Sequence, residues 1–100
     1  MEVKIKYEGY RVSNLFGLNA EKETIRLPDN SKYKDLLSIL RKKYKKTVKS
    51  RYTIKKEESI DHMFNTIFIT SEDKHLINMK DEAIDPDNEV MVMGDLAMGG

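Results

Sequence analysis

The chain has 100 residues, 39% apolar and 35% charged, with a formal net charge of +1. This is the composition of one globular domain with a modest core, and it excludes a disordered or membrane-embedded segment. There is no cysteine, so disulfide stapling, thiolate metal sites and a cysteine nucleophile are excluded, and the cytoplasm is the expected compartment.

Val3, Ile5 and Tyr7 alternate with Glu2, Lys4 and Lys6, the pattern of a strand with one buried face. The chain thus opens on a strand pattern and not a signal peptide. Gly9 reads as a bulge or the start of a bend, with Tyr10 and Val12 continuing the strand. Residues 13–19 read as a loop in which Leu15 and Phe16 cap the edge of the core. A second strand spans Glu23 to Leu27, with Ile25 and Leu27 on one face. Pro28-Asp29-Asn30 ends it, because proline cannot donate to a ladder and Asp and Asn favour turns. The first two strands are expected to form a hairpin with a long loop.

Ser31 reads as a helix N-cap. Tyr33, Leu36, Leu37, Leu40 and Tyr44 fall on one helix face, opposite Lys32, Asp35, Lys42, Lys43, Lys45 and Lys46, giving a helix of about four turns. Between 47 and 65, Val48, Tyr52 and Ile54 suggest an extended piece, and Glu57 to Phe64 a short helix. Thr66 to Thr70 is a dense β-former and the third strand. Ser71-Glu72-Asp73 is a turn, and His75 to Met79 a shorter fourth strand. Asp85-Pro86-Asp87-Asn88 has proline where a type I turn takes it. Glu89 to Met93 is the fifth strand, apolar on both faces as a central strand should be. If the first and last strands pair in parallel at the centre, the order gives an α+β, ubiquitin-like β-grasp. It would have a mixed four- to five-stranded sheet and one main helix packed on one face, with residues 1–93 as its body.

Residues 94–100, Gly94-Asp95-Leu96-Ala97-Met98-Gly99-Gly100, read as a flexible tail. Two meanings compete for it. The Gly100 carboxylate could be a reactive group activated by an enzyme. Gly99 and Gly100, lacking Cβ, would then let that enzyme's backbone close around the chain. The plainer meaning is a frayed terminus. Leu96 and Met98 are hard to bury within their own domain and suit an apolar groove on a partner that takes the tail as an extended segment. Met91 and Met93 are assigned to the core and the sheet face, with partner contact as a further role.

The ordered set of motifs resembles the ubiquitin-like sulfur carriers. These comprise the molybdopterin synthase small subunit, the thiamine-pathway sulfur carrier and the ubiquitin-related modifiers. Val3-Lys4-Ile5-Lys6-Tyr7 with Leu15 and Gly17 is similar to the family's first strand and Leu/Gly loop. Leu27-Pro28 through Ser31, then Leu36-Leu37, is similar to its second strand running into a capped helix. Ile84 with Glu89-Val90 is similar to its last turn, and Gly99-Gly100 to its terminus. Asp87-Asn88 stands where that turn usually has Gly-Asp, and Gly94-Asp95 where molybdopterin synthase subunits usually have two prolines.

The resemblance implies a cycle run by an adenylating enzyme with ATP, in which Gly100 becomes an acyl-adenylate. A sulfur donor then displaces AMP to leave a thiocarboxylate. The sulfur would pass to a molybdopterin or thiamine precursor or to tRNA. In the modifier branch, a lysine amine attacks the activated carboxyl of Gly100 instead. The protein would be a carrier and not an enzyme, binding no cofactor itself, and could pair with the large subunit of a synthase.

The remaining candidates are judged on charge and spacing. Residues 32–56 carry 11 basic groups and one acid, whereas residues 57–100 carry 2 basic and 11 acidic groups. Such a split marks either a surface for a charged partner or a basic helix face folded beside an acidic segment. Lys42, Lys43, Lys45 and Lys46 are the candidate basic patch, and a non-conjugated β-grasp interaction domain using residues 32–56 is the alternative of another class. Direct nucleic-acid binding is the weaker use of it, because only Tyr33, Tyr44 and Tyr52 interleave as stacking groups. His62 and His75 lack ligand-like spacing, and Asp85, Asp87 and Glu89 fail the EF-hand pattern, so no metal is expected. No apolar run approaches the ~18 residues that cross a bilayer.

Overall fold

The structure, a computed structural model, describes residues 1–51, 56–72, 77 and 81–94. Its elements are β1 (Glu2–Tyr7), α1 (Gly9–Asn14), β2 (Lys22–Arg26), α2 (Tyr33–Arg51), α3 (Glu57–Asn65), β3 (Phe68–Ser71) and β4 (Val90–Met93). The four strands form one sheet in the order β2-β1-β4-β3. β1 and β4, from opposite ends of the chain, lie side by side in parallel at its centre, with Ile5 opposite Val90 and Tyr7 opposite Val92. β2 and β3 flank them in antiparallel pairings.

Alternation in β1 does what its pattern predicts: Val3, Ile5 and Tyr7 are buried, and so are Val90 and Val92 of β4. They meet the stripe of α2, which buries Tyr33, Leu36, Leu40, Tyr44, Thr47 and Val48. Removing each such aliphatic side chain from water contributes about 1.5–3 kcal/mol before the entropy of ordering it is counted. Phe16 sits amid the aromatic part of this core, with ring centroids 5.3 Å from Tyr7, 5.5 Å from Tyr44 and 6.4 Å from Phe64. α3 adds Ile60 and Phe64 from the side.

Several sequence expectations are corrected. Tyr10 and Val12 do not extend β1: the chain turns through Gly9 at φ +82° into the short helix α1. The 2-residue spacing of Tyr10 and Val12 mimics a strand, but Val12 is buried and Tyr10 is more than half exposed. Ser31 does not cap α2. Its hydroxyl donates to the Pro28 carbonyl at 2.6 Å, closing the turn, and it is the Asp35 carboxylate that accepts from the Lys32 amide at 2.8 Å. Val48 is not in an extended piece, since α2 runs on to Arg51 and is about five turns long. β3 is shifted onto Phe68–Ser71, so Ser71 belongs to the strand and not to the turn. The helix expected at 57–64 is present as α3. The turn at Asp85 closes with the Asn88 amide donating to the Asp85 carbonyl at 3.1 Å. Of the expected fourth strand, 75–79, only Ile77 lies within the described residues; it is buried, and its amide donates to the Ile69 carbonyl at 3.0 Å.

Candidate functional site

The end of β4 is where the body hands over to the segment the sequence singles out. The Glu8 amide donates to the Val92 carbonyl at 2.9 Å, so the central parallel pairing runs up to Val92. Just beyond, α1 stands beside the chain: a Cβ on Gly94 would lie 3.3 Å from a Val12 methyl. The close approach of α1 is a reason for glycine at this position. Residues 95–100, including Leu96, Met98, Gly99 and Gly100, lie outside the described residues.

Met91 and Met93 are half-buried and point away from α2, on the opposite side of β4 from Val90 and Val92. Register sets Phe68 directly across from Met93, and Lys6 across from Met91. Phe68 is 43% exposed. The outer face of the sheet therefore carries an apolar strip of Phe68, Met93 and Met91, edged by Lys6 and, across β1, by Lys22. Phe68 was not among the candidates from sequence. The signal was present, because Ile67 and Ile69 facing inward oblige Phe68 to face out.

Four of the basic groups in residues 32–56 are met by acids of the 57–100 segment. Lys45 pairs with Asp61 at 3.0 Å and Lys49 with Glu57 at 2.7 Å, while Lys32 and Lys34 both reach Asp81 at 3.2 Å. The hydrogen bond from Lys49 holds the exposed Glu57 carboxyl below its ordinary value, and Lys32, then Lys34, do the same for Asp81. Lys43 is committed inward to Glu23, whose other oxygen accepts from the Tyr7 hydroxyl at 2.6 Å. Burial, reinforced by Glu23, pushes the Tyr7 phenol far above its usual value. Of the four candidate lysines, Lys43 and Lys45 are thus in ion pairs, whereas Lys42 and Lys46 remain exposed. His62 lies exposed on α3, and His75 is outside the described residues. Asp85 accepts from the Asp87 amide at 3.0 Å and from the Asn88 side chain at 3.1 Å, which accounts for these residues as turn chemistry.

No protein-family model and no curated protein matches the chain. Among solved structures, a candidate molybdopterin converting factor, subunit 1, from Pyrococcus furiosus superposes with a TM-score of 0.59 at 21% identity, covering 96% of this chain and 99% of its own. The fold is a ubiquitin-like β-grasp. An identity this low speaks to architecture alone. The β-grasp frame is a mixed sheet with a long helix across one face, and the observed strand order supplies it with β1 and β4 at the centre. No helix among the described residues is long and apolar enough to cross a membrane.

Proposed function

We propose that this β-grasp protein is a carrier whose Gly100 carboxyl is activated by a partner enzyme and loaded with sulfur. The supporting observation is the position of β4. The strand is held by β1 up to Val92 and by β3 up to Met93, so that the segment after Gly94 starts from the paired end of the central strand. The name borne by the Pyrococcus furiosus protein of the same fold favours molybdopterin synthesis over thiamine synthesis or tRNA thiolation as the pathway.

In this reading the Gly100 carboxylate attacks the α-phosphorus of ATP on the adenylating enzyme and pyrophosphate leaves. Sulfide displaces AMP to give the thiocarboxylate directly; a persulfide donor gives an acyl disulfide, whose S–S bond a second thiol cleaves, leaving the thiocarboxylate on Gly100 and a disulfide on the donor. The carrier supplies one carboxylate and a shape. It binds no cofactor, and the chemistry belongs to its partners. The strip of Phe68, Met91 and Met93 is the surface offered to the activating enzyme or to a synthase large subunit. Leu96, Met98 and Gly99 are the segment threaded toward the active centre. Ion pairs hold Lys32, Lys34, Lys43, Lys45 and Lys49, which weighs against an extended basic surface over residues 32–56 as the protein's main function.

The test is removal of Gly99-Gly100. The truncated chain keeps its thermal transition but is no longer adenylated when incubated with ATP and the activating enzyme of its own cells. Intact-mass spectrometry of the full chain from those cells shows the exchange of one oxygen for sulfur at Gly100. Adenylation of the truncated chain at the full-length rate would refute the reading. Isopeptide adducts through Gly100 in place of the thiocarboxylate would assign the chain to the protein-modifier branch.

A further inference from the structure

The loop after α1 packs against the C-terminal half of α2 and leaves a groove between them. The groove holds about 370 Å³ and is lined by Phe16, Leu18, Lys46, Thr47, Ser50 and Arg51, among others. It is built, not incidental. The Arg51 guanidinium donates to the Asn14 carbonyl at 2.9 Å, tying the end of α2 to the end of α1. Gly17, at φ +81°, brings the loop so close that a Cβ there would come within 3.0 Å of the Thr47 hydroxyl. The hydroxyls of Thr47 and Ser50 donate to the Lys43 and Thr47 carbonyls, which leaves their lone pairs free to accept.

Two features set its chemistry. The floor includes apolar groups, the buried Phe16 and the half-buried Leu18. The rim is cationic. Among the described residues, Lys46 is exposed and outside the ion pairs that hold Lys43, Lys45 and Lys49, and the exposed Arg51 donates to the Asn14 carbonyl. The groove also shares a pole with the end of β4, since α1 touches Gly94 at Val12 and Arg51 at Asn14.

We infer that this groove is a second docking site, which takes an acidic protein segment with an aliphatic side chain: the carboxylates meet Lys46 and Arg51, and the aliphatic group lies on Leu18. Charge complementarity selects the acidic partner, and the apolar floor selects a peptide over a bare phosphate chain. A nucleic-acid strand fits less well. Lys32, Lys34, Lys45 and Lys49 are held by Asp81, Asp61 and Glu57, which interrupts the run of cations that a phosphate track needs. Phe16, at 3% exposure, offers no face on which a base could stack. The site does not depend on any chemistry at Gly100. Its position implies that a protein gripping the end of β4 can reach around α1 and hold the body from the helix side as well.

The test is a nuclear magnetic resonance titration of the full chain with the peptide Glu-Asp-Leu-Glu-Asp-Ile-Glu, beside an analogue bearing lysine at every acidic position and a short oligouridine. The expected result is saturable shifts at the amides of Gly17, Leu18, Lys46 and Ser50 with the acidic peptide and none with the basic analogue. Lys46→Glu should weaken the acidic peptide by about tenfold or more. Lys42→Glu, on the same helix but outside the groove, should change it by less than about twofold. Lys46 is exposed, so its variant keeps a dispersed spectrum and the comparison stands. Absence of saturable shifts, equal loss in the Lys42 and Lys46 variants, or tighter competition by oligouridine at the same amides would each overturn the assignment. None of these outcomes bears on adenylation of the tail.

Discussion

Glu23 is the place where one side chain ties three elements together, and replacing it by alanine tests the packing logic of the body. Its carboxylate, on β2, accepts from the Tyr7 hydroxyl of β1 and from the Lys43 ammonium of α2. Tyr7 is 1% exposed, and Glu23 is the acceptor its hydroxyl has among the described residues. A buried donor stranded in this way costs about 1–3 kcal/mol. Lys43 is one-third exposed, so loss of its partner adds a screened contribution of ~1 kcal/mol at most. Glu23→Ala should therefore cost about 1–4 kcal/mol and lower Tm by roughly 5–20 °C in a domain of this size. The assay is thermal unfolding by circular dichroism across a double-mutant cycle with Tyr7→Phe. Removing both polar partners relieves the stranded hydroxyl, so Glu23→Ala should cost about 1 kcal/mol less, or better, in the Tyr7→Phe background. Costs that add to within ~0.3 kcal/mol would show that the two groups do not depend on one another, and the argument would fail.

The same cluster fixes a pH response. The folded protein holds the Tyr7 proton more tightly than the unfolded chain does, so this group's contribution is intact below the ordinary tyrosine value of about 10 and is lost as pH rises beyond it. Urea midpoints measured between pH 8 and pH 11, as approximate limits, should fall at the alkaline end and flatten there in Tyr7→Phe. Gly17→Ala places a Cβ on a left-handed residue against Thr47 and should cost about 1–2 kcal/mol in urea unfolding. Phe68→Asp breaks the cross-strand contact with Met93 and puts a poor strand former in β3, so it should cost about 1 kcal/mol while affinity for the activating enzyme drops, measured by titration calorimetry.

What sequence patterning reveals here depends on how far a pattern can repeat. β1 shows three buried positions in strict alternation, and α2 repeats its stripe for four turns, so both elements and the fold class were legible. α1 has six residues, too few for a helical period to show, and its Tyr10 and Val12 obey strand spacing by coincidence. The C-terminal turn of α2 was hidden because Thr47 and Val48 are β-branched, although they continue the stripe of Tyr33, Leu36, Leu40 and Tyr44. Ser31 was misread because a hydroxyl competes between backbone groups on either side, and here the Pro28 carbonyl wins. Counting charges could not show that the lysines of α2 would be met by Asp61, Glu57 and Asp81, since which charges meet is decided by the tertiary fold. The methionines of β4 were readable as apolar strand residues, but both lie half-buried on the outer face of the sheet and neither is in the core. Phe68 needed the register of β3 against β4, and the groove beside α2 needed the path of the loop through Gly17.

The parallel pairing of β1 with β4 also constrains the order in which the protein can be made. β1 and β2 emerge first and can form their hairpin, but the middle of the sheet stays open until Val90 to Met93 arrive, and Val3, Ile5 and Tyr7 cannot be sealed before then. A chain cut short upstream of β4 keeps β2 on one side of β1 but leaves the other edge of β1 unpaired for chaperones and proteases to find. Completion of the body is thereby coupled to translation through β4, and a nascent chain that has not reached those residues would not offer an activating enzyme a folded surface to grip.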